Sequence, residues 1–523
     1  MSVRRNITAN YVGQLYATLI SVAFVPFYIR FMGIEAYGLV GFYAMLQGWF
    51  ALLDMGLTPT VTRQSAQFNG GAISALDLRQ LFRSLESIFA VTAIAGALLL
   101  LALSGTIAEH WLKVETSEQA QVRNALCLMA VIVSLRWVCG LYRSAVIGFE
   151  RIVWLAGFTV VIATVRFALI VPFLAYVGAT PTHFFAYQLV AAVFEAAVLI
   201  LYTYRLLPAV PGADVMRFKW EPVRKVLPFA LSAAFTTVVW VVVSQTDKLL
   251  LSGLVPLTEY AYFTVAVLVA SGITLLSSPV AGAILPRLTS LNAQGRESDL
   301  VELYRNATQL VAVIVVPIVL VLSLFPHQVL LAWTNQREIA VSAAPSLTLY
   351  AIGNGLLALA AFPYYLQVAR GNLTLHVIYN VIFVALFIPL LLFAVSRFGL
   401  IGAGYAWILA NLIPFALWLP VVHHRHLRGT HLKWVLRDIG VTVGPSFAAA
   451  WLLSKMVVWS SARGWLVIEI GGAYVLLLAL AACSSSAIFG RLRAKLASST
   501  VSRQRAEASE ATQPGIRVRE KIS

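Results

Sequence analysis

Charge is scarce in this chain: Asp, Glu, Lys and Arg make up 11% of its 523 residues, whereas an average soluble domain carries roughly 25%. So few ionic groups cannot cover a water-facing surface, which excludes the three or four soluble domains that the length alone would suggest. Cysteine is rarer still. Cys127, Cys139 and Cys483 are the only three and fall in apolar stretches without CxxC spacing, so neither a disulfide framework nor a cysteine metal site is expected. There is no GxxxxGK[ST] loop and hence no ATP-driven step. The longest polar segment between apolar stretches is about twenty residues. That is too short for a catalytic domain, so no catalytic residue, cofactor or metal is expected, and a membrane glycan polymerase or glycosyltransferase is disfavoured. The opening MSVRRN leads into a first apolar stretch with no small-residue cleavage site, which predicts a retained span and not a removed signal.

What the chain has in abundance is apolar sequence: 60% hydrophobic residues and a mean hydropathy of +0.83. Fourteen stretches, the first at 8–30 and the last at 464–489, are long enough to cross the roughly 30 Å hydrocarbon core as helices. The expected fold is therefore an all-α integral membrane protein of about fourteen transmembrane helices. With the N-terminus inside, 28 of the 38 Lys and Arg fall in inner loops and termini, the bias that sets orientation by the positive-inside rule. Both termini are thus expected in the cytoplasm. The net charge of +16, concentrated in basic stretches such as Arg217, Lys219, Arg224 and Lys225, points to anionic inner-leaflet lipids and not to nucleic acid. His423, His424, His426 and His431 occur with Arg425, Arg428 and Lys433 and lack Cys or acidic partners, so they read as part of a basic inner loop on lipid, not as a metal site.

The stretch from Glu35 aligns without gaps to the stretch from Glu259 at a constant offset of 224 residues, pairing Arg63 with Arg287 and Gly71 with Gly295. After a two-residue slip, Leu81-Phe82-Arg83 meets Leu303-Tyr304-Arg305. The matches fall at the same places in the topology, which predicts an internal duplication of six spans. Because six is even, both copies insert in the same orientation, related by a pseudo-two-fold axis along the membrane normal, with a cavity between them. The domains expected are an N-terminal lobe at 1–206, a cytoplasmic linker at 207–226, a C-terminal lobe at 227–424, two extra helices within 436–489 and a disordered tail at 490–523.

The segments RNITANYVGQ, VPFYIRFMGIEAYGLVGFYAMLQGWFALLDMGLTPTVTRQSAQF (25–68), LYRSAVIGFERIVWLAGF (141–158), SQTDKLLLSGLVPLTEYAYFTVA (244–266) and FGLIGAGYAW (398–407) resemble bacterial polysaccharide-transport flippases. These are O-antigen and exopolysaccharide translocases of the multidrug/oligosaccharidyl-lipid/polysaccharide exporter superfamily. The resemblance implies a two-lobed helical transporter in the bacterial inner membrane. It would carry an undecaprenyl-pyrophosphate-linked oligosaccharide to the outer leaflet by alternating access, for O-antigen, capsule or exopolysaccharide synthesis, alongside a polysaccharide polymerase and a chain-length regulator. The alternative is an ion-coupled small-molecule or multidrug exporter of the same superfamily. Such exporters usually have twelve spans, and the extra pair argues against it. The glycines of FGLIGAGYAW follow no strand, so they suggest close helix packing and not nucleotide binding.

An Arg or Asp at a helix centre in the bilayer costs about 2.5 to 3.5 kcal/mol even on permissive scales, so charges at that depth need a reason. Arg136 lies near the middle of the fourth span, Arg166 near the middle of the fifth, Asp54 in the second and Glu195 in the sixth. Arg136 and Arg166 are candidate contacts for a diphosphate headgroup, since a guanidinium fork suits phosphate oxygens. The competing reading is that they pair with Asp54 and Glu195 to hold the lobe together. Asp54 and Glu195 are in turn candidates for ion coupling. Asp247 and Lys248, near the outer end of the seventh span, are either a local ion pair or a gate between lobes. Arg30 is either a headgroup contact or an interfacial anchor, and Arg63 and Arg287 either flank the inner mouth of the cavity or serve as positive-inside anchors. His376 in the eleventh span reads as a hydrogen-bonded packing residue.

Overall fold

A computed structural model describes residues 3–114, 118–210 and 217–486. The expected tail at 490–523 lies outside the described residues, as does part of the expected linker. The described chain is helical almost throughout, and its only β interaction is an isolated bridge between Lys113 and Pro256. A bilayer offers no water to satisfy peptide groups, so a chain this apolar closes its backbone hydrogen bonds within helices. Twelve described helices are long and apolar enough to cross a membrane, from Thr8–Met32 to Arg463–Ser484. The two remaining expected spans are also helical. The seventh lies within Trp220–Leu254. The thirteenth is a π-helical stretch, Trp434–Gly440, continued by the 16-residue helix Val441–Met456. Leu98, Val190, Leu201, Leu386 and Leu417 are each at least 60% exposed, as lipid-facing side chains are.

The helices gather into two compact units. One comprises the chain through Gly272 with Pro326–Gly353 and His376–Leu412; the other comprises Ile273–Phe325, Asn354–Leu375 and the chain from Ile413.

Within the first unit, small residues set how closely helices approach. A methyl group at Gly38, Gly41 or Gly48 would collide with Leu257, Thr264 or Gln245 respectively. The indole N–H of Trp111 donates to Ser252 Oγ at 3.0 Å, and Lys113 Nζ donates to the Leu254 carbonyl at 2.7 Å. The helix Ile34–Phe50 is interrupted by a 3-10 turn, Ala51–Asp54, and resumes at Leu57–Asn69. Met55 and Gly56 form the break, both with positive φ. Glycine is needed at 56 because a side chain there would strike the Ala230 carbonyl.

Within the second unit, Asp438 is fully buried and accepts from Arg305 Nε at 2.7 Å, Arg305 Nη2 at 2.9 Å and Gln309 Nε2 at 2.8 Å. Gln309 Oε1 accepts in turn from Ser485 at 3.0 Å. The two C-terminal helices are thereby bonded to the helix Glu297–Leu324. His423 is also fully buried, with Nε2 at 2.7 Å from the Tyr304 hydroxyl and Nδ1 at 2.8 Å from His431 Nδ1. This corrects the expectation of a lipid-facing basic loop. The helix Leu400–His426 continues through the histidines and turns His423 inward, while His424 and Arg425 remain exposed.

The repeated segments share local geometry. Gly71 and Gly295 both take the left-handed conformation, with φ of 75° and 68°. In each case the next residue bonds back across the turn, Ala72 N to Gln67 O at 2.9 Å and Arg296 N to Leu291 O at 3.1 Å. That is one glycine-dependent helix terminus used twice. The copies part at Asp54, because Leu257–Ala293 runs without the interruption found at 51–56.

Cys127, Cys139 and Cys483 are unpaired; Cys139 is buried and Cys483 exposed. His376 hydrogen-bonds Asn380 at 3.0 Å, as a packing histidine should.

Candidate functional site

The charges expected at membrane depth converge within the first unit, on the helices Gln119–Gly148 and Pro181–Leu206 and the π-helical turn Thr164–Ala168. Glu195 is 4% exposed and takes two arginines: Arg143 Nη2 lies 2.6 Å from Oε1, and Arg136 Nη2 lies 3.6 Å from Oε2. The second distance is an ion pair too long for a hydrogen bond. Arg143 also reaches the Thr159 hydroxyl at 3.3 Å. Arg143 was not among the charges singled out from the sequence. It follows Arg136 by seven residues, two helical turns, so both guanidinium groups project from one face. That spacing was the available signal.

Arg166 sits in the π-helical turn, where the widened ladder frees carbonyls that other helices cap. Tyr187 donates to the Val165 carbonyl at 2.7 Å, Gln188 to that of Arg166 at 3.0 Å and Tyr28 to that of Phe167 at 2.6 Å. The Arg166 guanidinium lies over the Phe167 ring, 4.9 Å from its centroid, and makes a long contact, 3.5 Å, to Gln188 Oε1. Arg136, Arg143 and Glu195 lie within electrostatic reach of it. Of the pairings envisaged from sequence, the structure forms Arg136 with Glu195. Asp54 instead accepts from the Thr58 N–H at 3.2 Å and from the Thr58 hydroxyl.

A cavity of about 350 Å³ is lined by residues that include Gln47, Asp54, Thr58, Arg136, Trp137 and Gly140. Two of these residues, Arg136 and Trp137, keep buried donors unpaired. Arg136 Nε and Nη2 and the Trp137 indole N–H are buried and make no hydrogen bond. Each unmade bond to a buried donor costs about 1 to 3 kcal/mol. Trp137 stacks on Phe89 with ring centroids 4.4 Å apart, which fixes its plane. With Arg136, Arg143 and Arg166 set against Glu195 and Asp54, the region holds one more fixed cation than fixed anions and suits an anionic guest.

The other expected residues lie elsewhere. Asp247 is 1% exposed and accepts from the Tyr350 hydroxyl at 2.6 Å, with Lys248 Nζ 3.4 Å away. The local ion pair is therefore present and is anchored by a tyrosine that sequence reasoning missed. Arg63 lies over the Phe229 ring at 4.7 Å. Arg30, Arg63 and Arg287 are exposed. No group of His, Cys, Asp and Glu among the described residues could hold a metal ion.

A family model described as polysaccharide biosynthesis protein matches residues 3–292. A Shigella flexneri protein assigned as an O-antigen transporter is 22% identical over 419 residues, covering 78% of this chain and 94% of that protein. Among solved structures, the lipid II flippase MurJ in an inward closed conformation matches with a TM-score of 0.68 at 14% identity, covering 92% of this chain and 98% of MurJ. An inward-facing multidrug resistance transporter of the MATE family, in the MOP superfamily, matches with a TM-score of 0.63 at 13% identity, covering 83% and 99%. At these identities the two structures establish the fold alone.

Proposed function

Since the chain belongs to the polysaccharide biosynthesis protein family, we propose that this membrane transporter is a flippase. It moves undecaprenyl-pyrophosphate-linked oligosaccharide from the inner to the outer leaflet of the bacterial cytoplasmic membrane, with both termini in the cytoplasm. The observation that carries the reading is the buried arginine cluster with unmade hydrogen bonds beside a cavity. A diphosphate supplies the charge and the acceptor oxygens that Arg136 lacks, and Arg166 stands ready as a second contact. The six-span copies, 1–206 and 227–424, act as the two lobes of an alternating-access cycle, and the inner-leaflet basic residues hold the lipid surface. Arg30, Arg63 and Arg287, exposed and basic, suit an earlier encounter with the headgroup.

Membrane potential helps the transfer. Moving roughly two negative charges from a negative interior outward gains about 4 to 5 kcal/mol per 100 mV, so net flipping needs no ATP. A drug-exporter reading shares the fold but leaves the cationic excess unexplained. The test is complementation of a strain lacking this protein. Wild type should restore surface polysaccharide, and Arg136→Ala or Arg166→Ala should reach the membrane in normal amount without restoring it. Full surface polysaccharide from both variants would overturn the headgroup assignment.

A further inference from the structure

We propose that a groove of about 610 Å³ between the ends of the helices Trp220–Leu254 and Thr374–Phe398 holds the prenyl chain of a polyprenyl diphosphate lipid in the outer leaflet, with the diphosphate on Lys113 and Arg397. This rests on the flippase reading, which puts both helix ends at the outer face. It adds a station for the transported lipid, apart from the cavity of Arg136.

The groove is apolar and faces lipid. Leu254 lies on one side, and Leu392, Val395, Ser396 and Gly399 lie on the other. Those four have the spacing i, i+3, i+4, i+7, so they form one stripe along a single helix face. The Ser396 hydroxyl is turned back on its own helix and donates to the Phe393 carbonyl at 2.8 Å. Leu254, Leu392 and Phe393 are each at least 45% exposed, and at that depth only a hydrocarbon chain is there to cover them. From Leu392 to Gly399 the helix rises about 10 Å at 1.5 Å per residue, against a hydrocarbon leaflet about 15 Å deep. The groove thus takes the part of a lipid chain nearest its headgroup. It stays open at the interface end, because Gly399 ends the helix with φ of 59° and a methyl group placed on it would meet nothing within 4 Å.

The rim is cationic, and one of its charges is held in place. The backbone of Lys113 forms the isolated bridge to Pro256. Its exposed ammonium donates at 2.7 Å to the carbonyl of Leu254, which lines the groove. An ammonium has three donors, so two remain for phosphate oxygens. Arg397 is exposed in the last turn of Thr374–Phe398, between the lining residues Ser396 and Gly399. Its guanidinium suits phosphate oxygens in the same way. Two cations above one apolar groove match the several charges of a diphosphate. An ordinary anionic phospholipid such as phosphatidylglycerol carries a single charge and meets the rim only in part. The groove accordingly favours the polyprenyl diphosphate over the bulk lipid.

The experiment places the photo-crosslinking residue benzoylphenylalanine at Phe393 of the full chain, in nanodiscs of phosphatidylethanolamine and phosphatidylglycerol. The probes are undecaprenyl pyrophosphate carrying one N-acetylhexosamine, uncharged undecaprenol and labelled phosphatidylglycerol. At equal mole fraction the diphosphate lipid should be captured about tenfold more than phosphatidylglycerol, the gain from one further charge-assisted contact. Lys113→Gln with Arg397→Gln should remove that preference and leave undecaprenol capture unchanged. Ser396→Trp, which fills the groove, should lower capture of both prenyl lipids. Leu392, also exposed, carries the crosslinker in a second preparation should the Phe393 variant fold poorly. Capture of phosphatidylglycerol equal to that of the diphosphate lipid, or Ser396→Trp capture equal to wild type, would overturn the proposal. Leaflet transfer measured on wild-type protein separates the two levels. Transfer without selective capture sinks the groove assignment and leaves the flippase reading standing. Selective capture without transfer sinks the flippase reading and leaves the groove as a polyprenyl diphosphate site.

Discussion

Replacing Glu195 by Gln removes the one carboxylate that Arg136 and Arg143 share and leaves the shape of the site almost unchanged. Breaking a buried ion pair by deleting one partner costs about 3 to 5 kcal/mol, because the surviving charge stays desolvated. Here the survivors differ. The Arg136 side chain is 10% exposed and cannot recover its hydration, whereas that of Arg143 is 28% exposed and can recover part of it. The 3.6 Å pair to Arg136 is also looser than the 2.6 Å bond to Arg143. Both facts place the expected loss at the lower end, about 3 kcal/mol. The assay is equilibrium unfolding by SDS titration in mixed micelles, with Glu195→Gln/Arg136→Gln and Glu195→Gln/Arg143→Gln closing two double-mutant cycles. Each double variant should recover part of the loss, since one stranded charge has gone. A Glu195→Gln loss below about 1 kcal/mol, or double variants that lose stability additively, would refute the view that Glu195 is the counter-ion of both arginines.

The π-helical turn should matter more for transport than for stability: Tyr187→Phe and Gln188→Leu each remove one cap from it, costing about 1 kcal/mol, and should cut transport severalfold while protein levels hold, whereas equal losses in both would mark the turn as merely structural. Asp438→Asn should loosen the C-terminal helices from Glu297–Leu324 by about 3 kcal/mol, seen as faster proteolysis within 427–433, and unchanged cleavage would contradict the clamp. Burial holds the His431 imidazole below its ordinary range. The folded state thus favours the neutral ring, and its contribution is complete above the unfolded value of about 6.5 and lost as pH falls below it. Melting temperature should therefore drop between about pH 7 and pH 5, less steeply in His431→Asn, and an equal slope in that variant would exclude His431 as the cause.

The helical membrane fold was legible because the bilayer imposes length and apolarity on every span locally. Twelve spans are unambiguous, whereas the thirteenth is divided between a π-helical turn and a short helix, a distinction that hydropathy does not register. Arg136 and Glu195 were legible as costly charges, and their pairing follows from the same cost. Arg143 was missed because it lies near a span end, where an arginine ordinarily belongs to the loop; only its seven-residue spacing from Arg136 told otherwise. His423 was misassigned for a related reason. Its neighbours His424 and Arg425 are surface residues, and the hydroxyl that draws it inward belongs to Tyr304, 119 positions away. The turn carrying Arg166 depends on Tyr28, 139 residues from the carbonyl it caps. Contacts of that range leave no mark on local pattern.

The central claim is that this chain carries lipid-linked glycan through the membrane and that Arg136 handles the diphosphate. The direct measurement is leaflet transfer in proteoliposomes containing purified protein and undecaprenyl pyrophosphate linked to a fluorescent oligosaccharide, with an imposed potential, negative on the side where the lipid starts. The account predicts transfer that rises with the potential and falls to the protein-free rate in Arg136→Gln. Transfer by Arg136→Gln equal to wild type, or transfer that ignores the potential and follows only a proton gradient, would contradict it.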